Sequence, residues 1–95
     1  MSKFGDIIQS NVPVLIDFYI NDQKQTTSIL QDVAINFGAQ AKVIRIEVAK
    51  NKNLTDALRI EYFPTFIIYK DGEMKWRQSG NQDAALLIHQ LEQYV

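Results

Sequence analysis

Tyr62-Phe63-Pro64-Thr65-Phe66-Ile67-Ile68-Tyr69-Lys70-Asp71-Gly72-Glu73 decides the fold of this chain, because it sets a proline, a buried strand and a hairpin turn in direct succession. Proline has no amide hydrogen to give a sheet ladder, so Pro64 belongs at the first residue of a strand or in a turn. With aromatic Phe63 before it, the Phe63–Pro64 bond is a candidate for the cis isomer, which folded proteins keep in constrained turns. Phe66 to Tyr69 is apolar and β-favouring and reads as the strand itself. Asp71-Gly72 then signals a two-residue hairpin, which returns the chain as an antiparallel strand over Glu73 to Ser79.

Working outward, Val14-Leu15-Ile16-Asp17-Phe18-Tyr19-Ile20 is nearly continuous apolar sequence, the mark of a central strand covered on both faces, with Asp17 as its one interruption. Before it, Phe4 to Ser10 reads as a short helix that Ser2 would cap and Asn11-Val12-Pro13 ends. After it, a helix capped by Asn21 or Asp22 runs to Phe37, since Ile29, Leu30, Val33 and Phe37 fall at helical spacing and Gly38 supplies the stop. Ala41 to Val48 is the second strand, with Ile44, Ile46 and Val48 alternating against Arg45 and Glu47. Asn53 to Arg59 is a two-turn helix capped by Asn51 or Asn53. The last helix spans Gln82 to Tyr94 with Asn81 as its cap and Ala84, Leu87, Ile88, Leu91 and Val95 as its buried stripe. A strand–helix–strand crossover demands parallel pairing and a right-handed turn, while the hairpin forces antiparallel pairing. The expected architecture is therefore α/β, with a mixed four-stranded sheet in the order 2-1-3-4 and helices on both faces.

Composition narrows the function. The 95 residues make one small domain over 1–95, with 46% hydrophobic and 22% charged residues, as in an ordinary soluble globular chain. A net charge of −1 with scattered lysines and arginines gives no nucleic-acid footprint and no anionic-membrane patch. No apolar run approaches the roughly 20 residues that span a bilayer. No basic segment leads into an apolar one as in a secretory signal, so cytoplasmic residence is expected. Cysteine is absent, which removes disulfides, thiolate metal sites and any thiol redox chemistry of the chain's own. The one histidine, His89, has no ligand-spaced companions, so neither a metal nor a cofactor is expected.

Taken together, these segments resemble a thioredoxin over nearly the whole chain. Val14 to Tyr19 resembles the family's first core strand with its buried Asp, Ile29-Leu30-Gln31-Asp32-Val33-Ala34 the middle of the helix after the active site, and Lys42 to Val48 the next strand. Ile60 to Phe66 and Lys70-Asp71-Gly72-Glu73 resemble the cis-proline loop and closing hairpin, and Gly80 stands where the family has a glycine lining the substrate groove. The departure is at the reactive loop. Thioredoxins carry Trp-Cys-Gly-Pro-Cys there, and the two thiols exchange with a substrate disulfide. Here the residues are Ile20-Asn21-Asp22-Gln23-Lys24-Gln25-Thr26-Thr27. Anchored on Phe18, Gln23 and Thr26 take the cysteine spacing; anchored on Ile29-Leu30, which matches the helix better, the loop is shortened.

The resemblance implies a fold, a groove and a relic. Asp17 matches a buried carboxylate that in thioredoxins takes a proton from the inner cysteine, with its pKa raised by desolvation. Without that cysteine it is expected to be structural, paired with Lys50 or Lys52. Tyr19, Phe63, Pro64, Thr65, Gly80 and Asn81 are the candidate lining of a groove that takes a protein or extended peptide partner by backbone pairing. Trp76 is expected to pack over the last helix together with Met74, His89 to be solvated, and Ile35 to lie exposed off the core stripe. The expected function is thus a non-enzymatic binding or scaffold module. Two alternatives remain: a redox-associated protein that acts only with an oxidoreductase partner, and a glutathione-binding enzyme that works without cysteine. Thr26, Thr27 and Ser28 offer hydroxyls for such an enzyme, but no base stands near them in sequence. An insulin-reduction assay supplied with external thiol is expected to show no turnover above buffer, and clear turnover would overturn the thiol-free reading.

Overall fold

Nothing in the sheet makes sense without its central strand, where five successive residues, Val14 to Phe18, have no solvent contact at all. The computed structural model describes residues 3–21 and 24–95. In chain order the elements are α1 (Lys3–Ile8), β1 (Val14–Tyr19), α2 (Lys24–Phe37), β2 (Lys42–Glu47), α3 (Lys52–Ala57), β3 (Thr65–Lys70), β4 (Glu73–Ser79) and α4 (Ala84–Glu92). The strands lie in the order β2-β1-β3-β4. β1 runs parallel to β2 and antiparallel to β3, and β3 runs antiparallel to β4. This is the mixed sheet expected from the sequence. The helix caps expected at Ser2 and Asp22 lie outside the described residues.

Strand alternation divides the core into two layers. Val14, Ile16 and Phe18 pack with Ile67 and Tyr69 under Phe4, Ile7 and Ile8 of α1 and Leu54 of α3. Leu15, Phe66 and Ile68 pack on the other face against Leu30, Val33 and Phe37 of α2 and Leu87 and Leu91 of α4. Each such fully buried aliphatic side chain contributes about 1.5–3 kcal/mol through the apolar surface it withdraws from water. Tyr69 belongs to the first layer, its ring edge-on to Phe4 at 5.4 Å. Burial pushes its phenol pKa up, and the nearby Arg77 cation draws part of that rise back.

The hairpin carries the turn chemistry that Asp71-Gly72 announced. Both residues have positive φ, 55° and 81°, as a type I′ turn requires. Their amides donate backward, Asp71 to the Ser10 carbonyl and Gly72 to that of Ile8, so the turn is fastened to the end of α1. A Cβ at Gly72 would run into the side-chain amide of Gln9. One irregularity in β4 was not foreseen. Ile68 faces Trp76 while Tyr69 faces Met74, which leaves Lys75 as an extra, bulged residue. The bulge separates two side chains expected to act together: Trp76 packs against the α2/α4 layer, whereas Met74 turns to the other face and is 44% exposed.

Caps account for the remaining boundary differences. α4 starts at Ala84 instead of Gln82, because Asp83 takes the N-cap role expected of Asn81 and accepts from the Leu86 amide at 2.8 Å. Asn51 precedes α3, but its side chain donates to the Glu47 carbonyl and does not cap the helix. The other end of α3 closes with paired reverse bonds, Ile60 amide to Thr55 carbonyl and Arg59 amide to Asp56 carbonyl. This is a Schellman arrangement, and it places Arg59 in the left-handed region at φ 54°. Arg77 reaches from β4 to the carbonyls of Leu58 and Arg59. A non-glycine residue is strained at Arg59, so Arg59→Gly is expected to raise stability by about 0.5–1 kcal/mol after the unfolded-state entropy of glycine is deducted. The midpoint of urea unfolding measures it.

Candidate functional site

The chain leaves β1 for α2 on one face of the sheet and leaves the parallel neighbour β2 for α3 on the other. In open α/β sheets such a divergence opens a crevice beyond the carboxyl ends of the strands. A hollow of about 120 Å³ lies there, lined by Tyr19, Ile20, Asn21, Thr26, Arg45, Phe63 and Pro64. Beside it a second depression is bordered by Gln25, Thr26, Ile29, Phe66, Asn81, Gln82 and Asp83. Thr26 is common to both, so the two form one continuous groove.

The wall opposite α2 is the loop before β3. The Phe63–Pro64 peptide is cis. Thr65, with no exposed surface, donates its hydroxyl to the Tyr62 carbonyl and shares a hydrogen bond with the Ser79 hydroxyl. The Pro64 carbonyl accepts from the Gly80 amide at 2.8 Å. Gly80 adopts φ +92°, a conformation that side chains disfavour, and its own carbonyl accepts from the side-chain Nε2 of Gln82. These bonds fix the loop from behind. On the groove side, by contrast, no described residue pairs with the backbone N–H or C=O of Phe63.

Asp17 sits under the first turns of α2, and its partner is neither Lys50 nor Lys52. The guanidinium of Arg45 donates through Nε to Asp17 Oδ2 at 3.0 Å and through Nη1 to Thr27 Oγ1 at 2.9 Å. Parallel pairing places Arg45 directly across from Asp17. Lys50, in a turn beyond β2, extends toward Glu47 at 4.0 Å, and Lys52 begins α3 on the opposite face. The Arg45 cation also lies 4.4 Å from the centre of the Tyr19 ring, a favourable cation–π distance. Asp17 is wholly buried and the Arg45 side chain 23% exposed.

Of the six groove residues expected from the sequence, the structure gathers Tyr19, Phe63 and Pro64 around the hollow and Asn81 at the adjoining depression. Thr65 lies beneath the loop and Gly80 behind it; both shape the groove without lining the hollow. Arg45, Thr26, Ile20 and Asn21 were missed. Arg45 alternates with Ile44 and Ile46, which reads as a solvent position until α2 is known to cover that face. His89 is exposed on α4, and Thr27 Oγ1 accepts from the Arg45 guanidinium.

The family model for thioredoxin matches residues 1–93. The chain belongs to the thioredoxin family. It is 35% identical over 95 residues to thioredoxin Y of Oryza sativa subsp. japonica, a protein named as chloroplastic; the match covers 96% of this chain but 56% of the rice protein. A thioredoxin-like protein of Synechocystis is 33% identical over 98 residues, covering 99% of this chain and 93% of the relative. Among solved structures, a point variant of a thioredoxin from Halobacterium salinarum superposes with a TM-score of 0.81 at 28% identity, covering 99% of this chain and 84% of that one. Mitochondrial thioredoxin 3 of Saccharomyces cerevisiae reaches a TM-score of 0.84 at 19% identity, covering 96% and 87%, which speaks for the fold alone.

This thioredoxin-family chain has no cysteine, hence no thiolate to attack a disulfide. Of the two residues at cysteine spacing, Thr26 lies in α2 and is 8% exposed, and Gln23 lies outside the described residues.

The buried pair makes a sharp energetic prediction. Arg45→Met takes from the buried Asp17 carboxylate the guanidinium bonded to its Oδ2 and is expected to cost about 3 kcal/mol, the low end of the range for breaking a buried pair, since Arg45 keeps some solvent contact. The double variant Asp17→Leu/Arg45→Met removes both charges and is expected to recover most of that loss. Denaturant unfolding of the wild type, both single variants and the double variant measures the coupling.

Proposed function

We propose that this thioredoxin-family chain is a binding module that receives an extended protein segment in the groove at Phe63-Pro64 and performs no thiol chemistry on it. The observation that carries this reading is the Phe63 backbone: an N–H and a C=O left without partners among the described residues, beside a hollow whose lining mixes Tyr19, Ile20, Phe63 and Pro64 with Asn21, Thr26 and Arg45. An extended segment satisfies both groups by strand addition and presents alternate side chains to the groove. Ile20, 51% exposed, adds apolar surface to the lining of the hollow. The bonds behind Pro64 hold the loop rigid, which keeps the ordering cost of binding on the ligand.

The glutathione alternative is the weaker one. A tripeptide with charged ends needs those ends met, and among the described lining residues of the hollow Arg45 alone carries a charge, which is already bonded to Asp17. A role alongside a separate oxidoreductase uses the same groove and is a special case of binding. Nor does the reading depend on compartment, because a chain without thiols is indifferent to the redox poise around it; cytoplasmic residence remains our proposal from the sequence. No helix among the described residues is long and apolar enough to cross a membrane.

Titration of the 15N-labelled chain with unstructured peptides is expected to shift the amides of Phe63, Thr65, Ile20 and Asn21 ahead of all others. Pro64→Ala is expected to weaken binding at least tenfold while the fold is retained. Shifts scattered over the surface, or none, would overturn the reading.

A further inference from the structure

We infer that Thr65 is a positioning residue for peptide binding: its buried hydroxyl, backed by Ser79, turns the Tyr62–Phe63 peptide unit so that the Phe63 N–H faces the groove as a donor to a main-chain carbonyl of the bound segment. The inference rests on the peptide-binding reading and names what aims that site. Thr65 Oγ1 donates to the Tyr62 carbonyl, which can only accept. A threonine hydroxyl has one proton to give, so in the 2.9 Å bond between the two hydroxyls Ser79 donates and Thr65 accepts. The result is a directed relay, from the Ser79 O–H to the Thr65 O–H to the Tyr62 C=O, in which each bond polarises the next. Thr65 has no exposed surface, so bulk water does not compete for the relay.

A peptide unit is planar, and in its trans form the C=O and the N–H point in opposite directions. The Tyr62–Phe63 unit is trans. With the Tyr62 carbonyl turned inward to Thr65, the Phe63 N–H is turned to the other side of the loop, where Phe63 lines the hollow. No described residue accepts from it. On the far side of Phe63 the Pro64 carbonyl is held by the Gly80 amide at 2.8 Å, and Ser79, the head of the relay, directly precedes that glycine. The end of β4 thus fixes one carbonyl before Phe63 and one after it. Without the Thr65 hydroxyl the Tyr62 carbonyl loses its donor in a place closed to water, which is costly. It regains a partner by rotating outward to solvent, and that rotation carries the Phe63 N–H inward. Aiming is therefore the work of the hydroxyl and not of the methyl group. Thr65 lies beneath the loop and does not touch the segment.

The test uses the whole chain and an unstructured peptide of serine, threonine and valine with blocked ends, and reads affinity together with hydrogen exchange at the Phe63 amide. In the unmodified chain that amide is expected to exchange freely and to become protected when the peptide binds. Thr65→Val, which keeps the shape and loses the hydroxyl, is expected to weaken binding about fivefold to tenfold, the worth of one hydrogen bond, and to lose the peptide-induced protection. Thr65→Ser restores the hydroxyl and is expected to bind within about twofold of the unmodified chain. Ser79→Ala leaves the bond from Thr65 to Tyr62 in place and is expected to cost less than Thr65→Val. Val14→Ala, in the core at the opposite end of β1, lowers stability away from the relay and is expected to leave affinity unchanged. Unchanged affinity and protection in a folded Thr65→Val overturn the inference, as do equal losses in Thr65→Ser or Val14→Ala, which would assign the effect to stability. Should Thr65→Val not fold, the unmodified chain decides, because a Phe63 amide already protected before peptide is added has an internal acceptor and overturns the inference. A freely exchanging Phe63 amide with no binding of the peptide overturns the peptide-binding reading itself.

Discussion

A carboxylate with no solvent contact, in the middle of the central strand, is the constraint around which this fold is arranged. Asp17 has neighbours on both sides in the sheet and a helix above it, so water cannot solvate it and a cation must come from within. Arg45 supplies that cation from the adjacent parallel strand. In doing so it ties β1 to β2, fastens both to α2 through Thr27, and lies against the ring of Tyr19. A pair of this kind adds little net stability relative to apolar residues of similar shape, because desolvating two ions offsets most of their attraction. What it adds is registration. The strands cannot slip by a residue, nor α2 shift along the sheet, without stranding a charge.

The same pair gives the missing thiols a physical meaning. In thioredoxins the matching acid serves proton transfer at the inner cysteine, a duty this chain cannot assign to it. Here the acid is bonded to Arg45, which lines the hollow. Opposite it, the loop through Phe63 and Pro64 is held by Thr65, Ser79 and Gly80 as firmly as a recognition surface demands. On the binding reading proposed above, reactive and receptive halves of one site are separable: the receptive half depends on backbone geometry and small turns, the reactive half on two sulfur atoms.

Much of this fold was legible in the sequence because its signals were local. An unbroken apolar run bounded by turn residues gave the central strand, Asp71-Gly72 gave the hairpin and its residues, and helical spacing gave α2 and α4 to within a few residues. Tyr19, Phe63 and Pro64 were assigned to one groove through the resemblance to thioredoxins, which sets the exit of the first strand beside the proline loop. The misses were all non-local. Arg45 looked solvent-facing because alternation marks a face without saying what covers it. The bulge at Lys75 has no signature in β4 itself, since its register is set by β3. Asp83 displaced Asn81 as the cap because Gly80 and Gln82 first route the chain around Pro64.

Hydrogen bonds at the far pole of the sheet settle a practical matter of orientation. The Lys70 ammonium donates to the Tyr94 carbonyl at 2.7 Å, and the Tyr94 hydroxyl donates to the Lys75 carbonyl. The last described residues are thereby moored at the end of β3 opposite Pro64, roughly 20 Å away at about 3.3 Å per strand residue. A tether leaving from Val95, to a bead, a sensor surface or a neighbouring polypeptide, therefore departs from the side remote from the hollow. The chain can be held at one pole while the other stays open to solution.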